Sequence, residues 1–369
     1  MKTKYNFEEE NKVFSPQLIY YPELIQNNIE LMIKIAGDAN RLWPHIKTYK
    51  IAEIIKMLID NGINKVKCAT IAETELALET GIKTVFLAYP LVGPNIDRFI
   101  SLCKHYNQSI VYACGDNTRQ VELLSNKAKQ NNIKVNLLLD VDTGLHRTGV
   151  PIIEVENIYK NWNQLDGIKM CGLHCYDGHR HESQTEIRYS ETEKLDKTIS
   201  EIKTSLENQG YSLPIMIMGG TPSFPCHQTY TDYFLSPGTC IIQDSGYQSN
   251  YLDLPFTPAA TILTRIISRP TKNTFTIDLG TKAISCDPPI RCVIASMEYA
   301  KIVMHNEEHM VLEVDDEHID EIPEIGEVLY AIPTHVCPTS ILYPSVKVIK
   351  NNHLIDEWQI KARDRYINF

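Results

Sequence analysis

The chain has 369 residues, 43% hydrophobic and 22% charged, which suits a globular protein of two domains or one large barrel with an addition. Forty-six acidic against 36 basic side chains give a formal charge of −10, which argues against a nucleic-acid or anionic-membrane surface. No apolar run reaches the length of a membrane span, Met1 to Lys12 is polar, and the ten cysteines are scattered without a CxxC, so a cytoplasmic protein without disulfides is expected.

An extended piece at 17–21 precedes a helix from about Pro22. From 41 to about 240, short β-rich runs alternate with longer amphipathic stretches. The runs are 41–48, 65–70, 84–90, 109–114, 135–141, 168–176, 214–220 and 233–241. Helical patterns at 51–61 and 72–80 are stopped by Gly62 and Gly81, and the longest, about 182–209, reads as one or two helices. Strand followed by helix, eight times, predicts a (β/α)8 TIM-type barrel. A doubly wound open sheet competes, but the count of eight favours the barrel, as do the polar residues and glycines gathered just after strands. Lys65 and Lys67 read as part of a solvated face. After about 255 the rhythm changes, and 261–269, 274–278, 291–305, 310–314, 328–332 and 346–350 read as strands, with Asn351-Asn352 as a hairpin turn. The expected class is therefore α/β: a barrel within 1–255, then a C-terminal all-β domain over 256–369.

Five segments carry chemistry. Lys47, in Trp43-Pro44-His45-Ile46-Lys47-Thr48, ends the first strand at the barrel mouth, where a lysine can form a Schiff base if burial or nearby cations depress its pKa. The loop from Asp140 to Gly149 delivers Arg147 to the same mouth, either to meet an anionic oxygen or to pair with Asp140 or Asp142. Gly219-Gly220-Thr221 after the seventh strand and Gly238-Thr239 within the eighth candidate lie where barrels often bind phosphate, with glycine admitting close backbone approach. The sixth strand ends in Tyr176, His179 and His181, imidazoles suited to acid–base work, with a nickel-like cluster or a plain polar loop as rival readings. His335 and Cys337 stand two apart; on a strand they would share a face, and nitrogen plus thiolate favours zinc with positions left open for catalysis.

Taken in order, Pro44-His45-Ile46-Lys47-Thr48, Asp142-Thr143-Gly144 with Arg147 and Gly149, Gly219-Gly220-Thr221 and His335-Val336-Cys337-Pro338-Thr339 resemble the D-threonine aldolase and D-serine dehydratase family, of the alanine-racemase-like fold. The resemblance runs from about residue 15 to Arg363. It implies pyridoxal 5'-phosphate held in the barrel, with Lys47 as the Schiff-base lysine and Arg147 at the cofactor's 3′-oxygen. By the same resemblance Gly219, Gly220 and Thr221 hold the phosphate, Tyr176 is an active-site tyrosine, and His335 and Cys337 bind a divalent metal, zinc or manganese. The implied substrates are D-configured β-hydroxy amino acids and the implied assembly a homodimer. Cys337 points toward the dehydratases, whereas Tyr176-Asp177-Gly178-His179 looks closer to aldolase-like members. In the aldolase mechanism His179 or His181 would help remove the hydroxyl proton. An amino-acid racemase and a non-catalytic pyridoxal-phosphate carrier are the further alternatives, the carrier disfavoured by the β domain.

Overall fold

In the computed structural model, which describes residues 3–369, the chain divides into two units. One is Glu30–Gly238 with Asp364–Phe369; the other joins the residues up to Ile29 to Thr239–Arg363. The sequence rhythm changes at about 255, whereas contacts divide the chain at Thr239 and give its first residues to the β unit. The cause is the strand Gln17–Tyr20, which pairs antiparallel with Ala260–Ser268 and parallel with Ser345–Lys350.

The larger unit is the expected barrel. Parallel strands Lys65–Cys68, Thr84–Pro90, Ile110–Gly115, Val135–Asp142, Ile168–Cys175, Ile215–Met218 and Phe234–Leu235 follow one another around it. The remaining strand is the segment 42–45, bridged to Leu235 on one side and to Lys67 on the other, which closes the ring. Expected bounds shift at both ends of the count. The run 41–48 is extended only to His45, and Ile46–Thr48 turns as a 3-10 helix. The eighth run, 233–241, forms a strand only at Phe234–Leu235, and Thr239–Ile241 is a 3-10 turn, so Gly238 lies after the strand. Residues 221–229 form turns where the seventh strand–helix repeat would need a helix.

The helices follow local rules. Thr70 caps Ile71–Thr80 by accepting from the Glu73 amide at 3.1 Å, and Gly81 ends that helix at φ +115°. The long pattern is one unbroken helix, Thr185–Asn208. Inside the barrel, Trp43 is ringed by Phe86, Tyr112 and Phe234 at 6.4, 5.6 and 5.7 Å, with Leu138, Cys171 and Ile217 completing the layer.

The β unit carries a nine-stranded sheet, antiparallel except where Gln17–Tyr20 meets Ser345–Lys350. Its core includes Tyr5, Phe7, Ile19, Tyr21, Leu263, Tyr330 and Ile349. The run 291–305 is two strands, Cys292–Ile294 and Lys301–His305, separated by a turn with Ser296 at φ +68°. Asn351 and Asn352, both at positive φ, make the expected hairpin turn into His353–Gln359, a strand whose run of polar residues hid it. Among the described residues no helix is long and apolar enough to cross a membrane.

Trp43 is fully buried at the centre of the barrel's interior layer. Trp43→Ala should cost about 3–5 kcal/mol, read as an earlier midpoint in guanidinium denaturation of the barrel unit, and Trp43→Phe should cost less. Equal midpoints for wild type and Trp43→Ala would show that this layer does not support the barrel.

Candidate active site

The first barrel segment ends at His45, whose amide donates to the Pro237 carbonyl at 2.7 Å. Its Nδ1 accepts from the Lys47 amide at 3.4 Å, which helps turn the chain out of the strand. Burial, with Lys47, Lys67 and His174 nearby, drives the His45 imidazole well below its ordinary pKa, so it is neutral. The turn separates two lysines. Lys50, at φ +55°, ends on the buried Glu73 carboxylate at 2.5 Å. Lys47 ends with Nζ 5.9 Å from the centre of the Tyr176 ring.

Two further cations share that ring. The Arg147 guanidinium lies 5.1 Å from its centre and Lys67 Nζ lies 5.2 Å away. The expectation of a solvated Lys67 is thus overturned: it is 2% exposed and faces the barrel interior. Alternation along Lys65–Cys68 sets the lysines opposite Val66 and Cys68. In a barrel whose outer face packs on helices, the polar side of such a strand is the inner one. Burial and Lys47 bring the Lys67 ammonium down to about 7.

Arg147 pairs with neither aspartate considered for it. Asp142 Oδ1 accepts from the amides of Gly144 and His146 at 3.0 and 2.9 Å, and Oδ2 meets His146 Nδ1 at 2.7 Å, so this carboxylate shapes the loop. Asp140 Oδ1 meets His174 Nδ1 at 2.7 Å. A bulge brings that partner into register: Leu137 faces Met170 but Leu138 faces Gly172, which sets His174 opposite Asp140. Only glycine fits at Gly172, at φ +146°, because a Cβ would sit 1.7 Å from the Ile215 carbonyl oxygen. His174 Nε2 is buried without a partner. Burial lowers the pKa of this imidazole although Asp140 opposes the shift.

Tyr176 is followed by Asp177, a fully buried carboxylate. Asp177 accepts from Ser223 Oγ at 2.6 Å and meets His227 Nε2 at 3.0 Å, and His227 Nδ1 meets Asp196 at 2.7 Å. Ser223 Oγ accepts in turn from the Gly220 amide, and Thr221 Oγ1 accepts from the Gly238 amide at 3.1 Å, which ties the turns after the seventh and eighth strands together. Gly238 must be glycine, since a Cβ would lie 2.8 Å from the His45 carbonyl oxygen, and Gly220 is close to the Tyr176 ring, where a Cβ would lie 3.0 Å away. His179 lies against the Arg147 loop, its Nε2 3.0 Å from where a Gly144 Cβ would be, and its Nδ1 is buried without a partner. Burial and Arg180 lower its pKa, which leaves it neutral. His181 is exposed.

In the β unit, His335 and Cys337 are not on a strand. His335 caps the short helix Val336–Ser340, and Asp244 pins the turn by accepting from the Val336 amide at 3.2 Å. The two side chains nevertheless meet, because the His335 imidazole interacts with both Cys337 and Asp287, the latter through Nδ1. Thr239 Oγ1 lies 3.4 Å from Cys337 Sγ. A nitrogen and a sulfur donor, with a carboxylate behind the histidine, fit a divalent ion of the zinc type. Among the described residues, three-residue clusters of potential ligands lie elsewhere: Cys114, Asp140 and His174 in the barrel, and Glu8, Glu9 and His353 on the β unit. The barrel cluster suits a cation poorly, since Lys67 and Arg147 adjoin it and burial holds the Cys114 thiol protonated.

Sequence reasoning named Lys47, Arg147, Tyr176 and the glycine turns, and the structure brings Lys47, Arg147 and Gly220 to the Tyr176 ring. It missed Lys67, His45, Asp140, His174, Asp177 and His227. Inward alternation signals Lys67 and Asp140, and the Tyr176-Asp177-Gly178-His179 segment signals Asp177; no sequence feature links His227 to it.

Residues 22–245 match the family model "Alanine racemase, N-terminal domain", and residues 259–349 match "Putative serine dehydratase domain". A D-threonine aldolase of Arthrobacter sp is 26% identical over 95% of this chain and 93% of its own. A 3-hydroxy-D-aspartate aldolase of Paracoccus denitrificans (strain Pd 1222) is 25% identical over 97% and 94%. The crystal structure of D-threonine aldolase from Filomicrobium marinum superposes with a TM-score of 0.88 at 23% identity over 96% of each chain, a likeness of fold.

The His227 network gives a pH signature. Burial acts to lower the imidazole pKa, but Asp177 and Asp196 outweigh it and raise it to about 9. A raised cationic pKa contributes stability that is complete below the unfolded value of about 6.5 and fades as pH rises through about 9. His227→Gln should therefore lower the melting temperature most at pH 6–7, with the gap to wild type narrowing toward pH 10. A gap that does not change with pH would mean that the imidazole is neutral in the fold.

Proposed function

The chain belongs to the family of the alanine racemase N-terminal domain, and from that premise we propose a metal-assisted enzyme that cleaves D-β-hydroxy amino acids by a retro-aldol reaction, as a D-threonine aldolase does. At the coarser level the chain is a pyridoxal-phosphate-dependent lyase, as its aldolase relatives are. The observation that carries the proposal is Lys47, set on a turn just past the barrel strand and facing Tyr176 beside Arg147.

When bound, pyridoxal phosphate supplies an electron sink for the charge that develops at the substrate's Cα. In our reading Lys47 would be the amine that holds it covalently, and Arg147 would hold its ring oxygen. Gly219, Gly220 and Gly238 let the two phosphate turns close, with Thr221 and Thr239 supplying hydroxyls. The orphaned His174 Nε2 and the glycine cradle fit a polar ligand at this place. His45 and His174, held neutral by burial, add no charge of their own. His335 and Cys337 would hold the divalent ion, which would supply a Lewis acid for the substrate's β-oxygen. His179, neutral with an unpartnered Nδ1, is our choice for the group that takes the β-hydroxyl proton, with His181 the alternative. Cleavage of Cα–Cβ then releases an aldehyde, and Cα takes up a proton to give glycine.

The second reading is a D-serine dehydratase, favoured by the match of residues 259–349 and by Cys337. There Lys47 takes the Cα proton and the β-hydroxyl leaves, giving pyruvate and ammonia from D-serine. Turnover separates the two. We expect glycine and acetaldehyde from D-threonine, borohydride fixation of the chromophore to the Lys47 peptide, and loss of both in Lys47→Ala. Pyruvate from D-serine without aldehyde from D-threonine selects the dehydratase, and an adduct on Lys50 overturns the lysine assignment.

The metal has its own test. Structural zinc sites close four positions with protein ligands, and one histidine with one cysteine does not. Chelation should therefore leave thermal unfolding and cofactor absorbance nearly unchanged while turnover of β-hydroxy substrates falls steeply and returns with zinc or manganese. Exchange of the D-alanine Cα proton, which needs no β-oxygen ligand, should survive. Unfolding on chelation would make the site structural, and full turnover in metal-free protein would remove the metal from the reaction and advance a racemase.

A further inference from the structure

Lys67 is a buried ammonium that none of the roles above uses. It faces Lys47, Arg147 and Tyr176, with Asp140 and Asp177 as the acids within electrostatic reach. His45 and His174 lie close enough to feel its charge. Burying an ammonium is costly unless an anion compensates it. Neither acid is committed to Lys67: Asp140 is bonded to His174, and Asp177 to Ser223 and His227. Three basic groups thus crowd one aromatic ring, and like charges at this range repel. The strain is visible in Lys67 itself, which burial and Lys47 bring down to about 7. Beside it His174 Nε2, also buried, has no partner. Excess positive charge next to an unmatched polar atom is the signature of a chamber built around an absent anion.

We propose that Lys67 is a cofactor ligand: its ammonium joins the Arg147 guanidinium in binding the anionic ring oxygen of pyridoxal phosphate. The proposal rests on the cofactor reading above and adds a second cation to it. The ring oxygen is the anion that fits, because Lys67 stands with Lys47 and Arg147, the residues read as meeting the carbonyl-bearing side of that ring. One consequence is thermodynamic. An anion entering the chamber stabilises the charged form of Lys67, so cofactor binding near and above neutral pH takes up a proton there. A second follows from the charge alone: in the apoprotein Lys67 brings little stability, and an apolar replacement of similar length is tolerated.

The experiment compares wild type with Lys67→Met and Lys67→Arg, each stripped of cofactor and reloaded. Cofactor dissociation constants and absorbance of the bound chromophore are recorded from pH 6 to 10, with thermal unfolding of each apoprotein. Lys67→Met should weaken cofactor binding about ten-fold or more, the scale of a lost charged hydrogen bond. It should also shift the midpoint of the absorbance titration, while apoprotein melting stays at or above wild type. Lys67→Arg, which keeps the charge, should recover most of both effects. Equal affinity and an unmoved midpoint in Lys67→Met would overturn the proposal. So would a loss of affinity that Lys67→Arg fails to restore and that comes with lower melting, since Lys67 would then be structural. Borohydride trapping separates this failure from failure of the cofactor reading. An adduct on Lys47 with an unmoved midpoint sinks the role of Lys67 alone, whereas an adduct on Lys67 sinks both assignments.

Discussion

A single buried carboxylate organises the mouth of the barrel. Asp177 leaves the sixth strand with no contact to solvent and must find its hydrogen bonds inside the protein. It finds them on Ser223 and His227, both in the turns after the seventh strand. Through Ser223 it sets the Gly220 amide, and through His227 it reaches Asp196 on the long helix. The turns that approach Tyr176 are therefore held by a buried ionic network as well as by the packing of Phe224. That explains how nine residues of turn can occupy the place of a barrel helix and keep a defined shape. Breaking such a network from one side is expensive because the remaining charge stays buried.

Above this anchor the chamber is dominated by positive charge. Lys47, Lys67 and Arg147 converge on Tyr176, whose ring face offers each a weak attraction and none a counter-ion. The acids nearby are occupied, Asp140 by His174 and Asp142 by its own loop. The histidines are held neutral, so they orient without adding to the charge. A site arranged this way suits an anionic cofactor, in keeping with a pyridoxal-phosphate-dependent lyase. In the β unit the chemistry is of another kind, a nitrogen and a sulfur donor with Asp287 behind the histidine.

Much of this was legible in the residues. Eight β-rich runs announced the barrel because each strand is short, apolar and followed by a polar loop or glycine, and Lys47 and Arg147 could be placed at its mouth from strand ends alone. What misled was local. Lys65-Val66-Lys67-Cys68 looks like a solvated strand unless one knows that its apolar side packs on helices, so that Lys67 turns inward. His335-Val336-Cys337 suggested a strand, but Asp244, far away in sequence, captures the Val336 amide and bends it into a helix start. The partner of His174 depends on a one-residue bulge at Cys171 that no period-two pattern reveals. The Asp177–His227–Asp196 network joins three distant segments and leaves no trace in spacing. In each case a tertiary contact decided what the local pattern left open.

The strand Gln17–Tyr20 also has a consequence for biosynthesis. It is made before any barrel strand, yet its neighbours, Ala260–Ser268 and Ser345–Lys350, are made only after every barrel strand. Leu18, Ile19 and Tyr20, fully buried in the finished protein, must wait as an unpaired apolar edge while the barrel segments emerge. A chain interrupted before Ser345 leaves that edge without its parallel neighbour. The β unit closes late, on contacts of long sequence separation, and it is there that nascent chains are most exposed to misassembly and most dependent on holding factors.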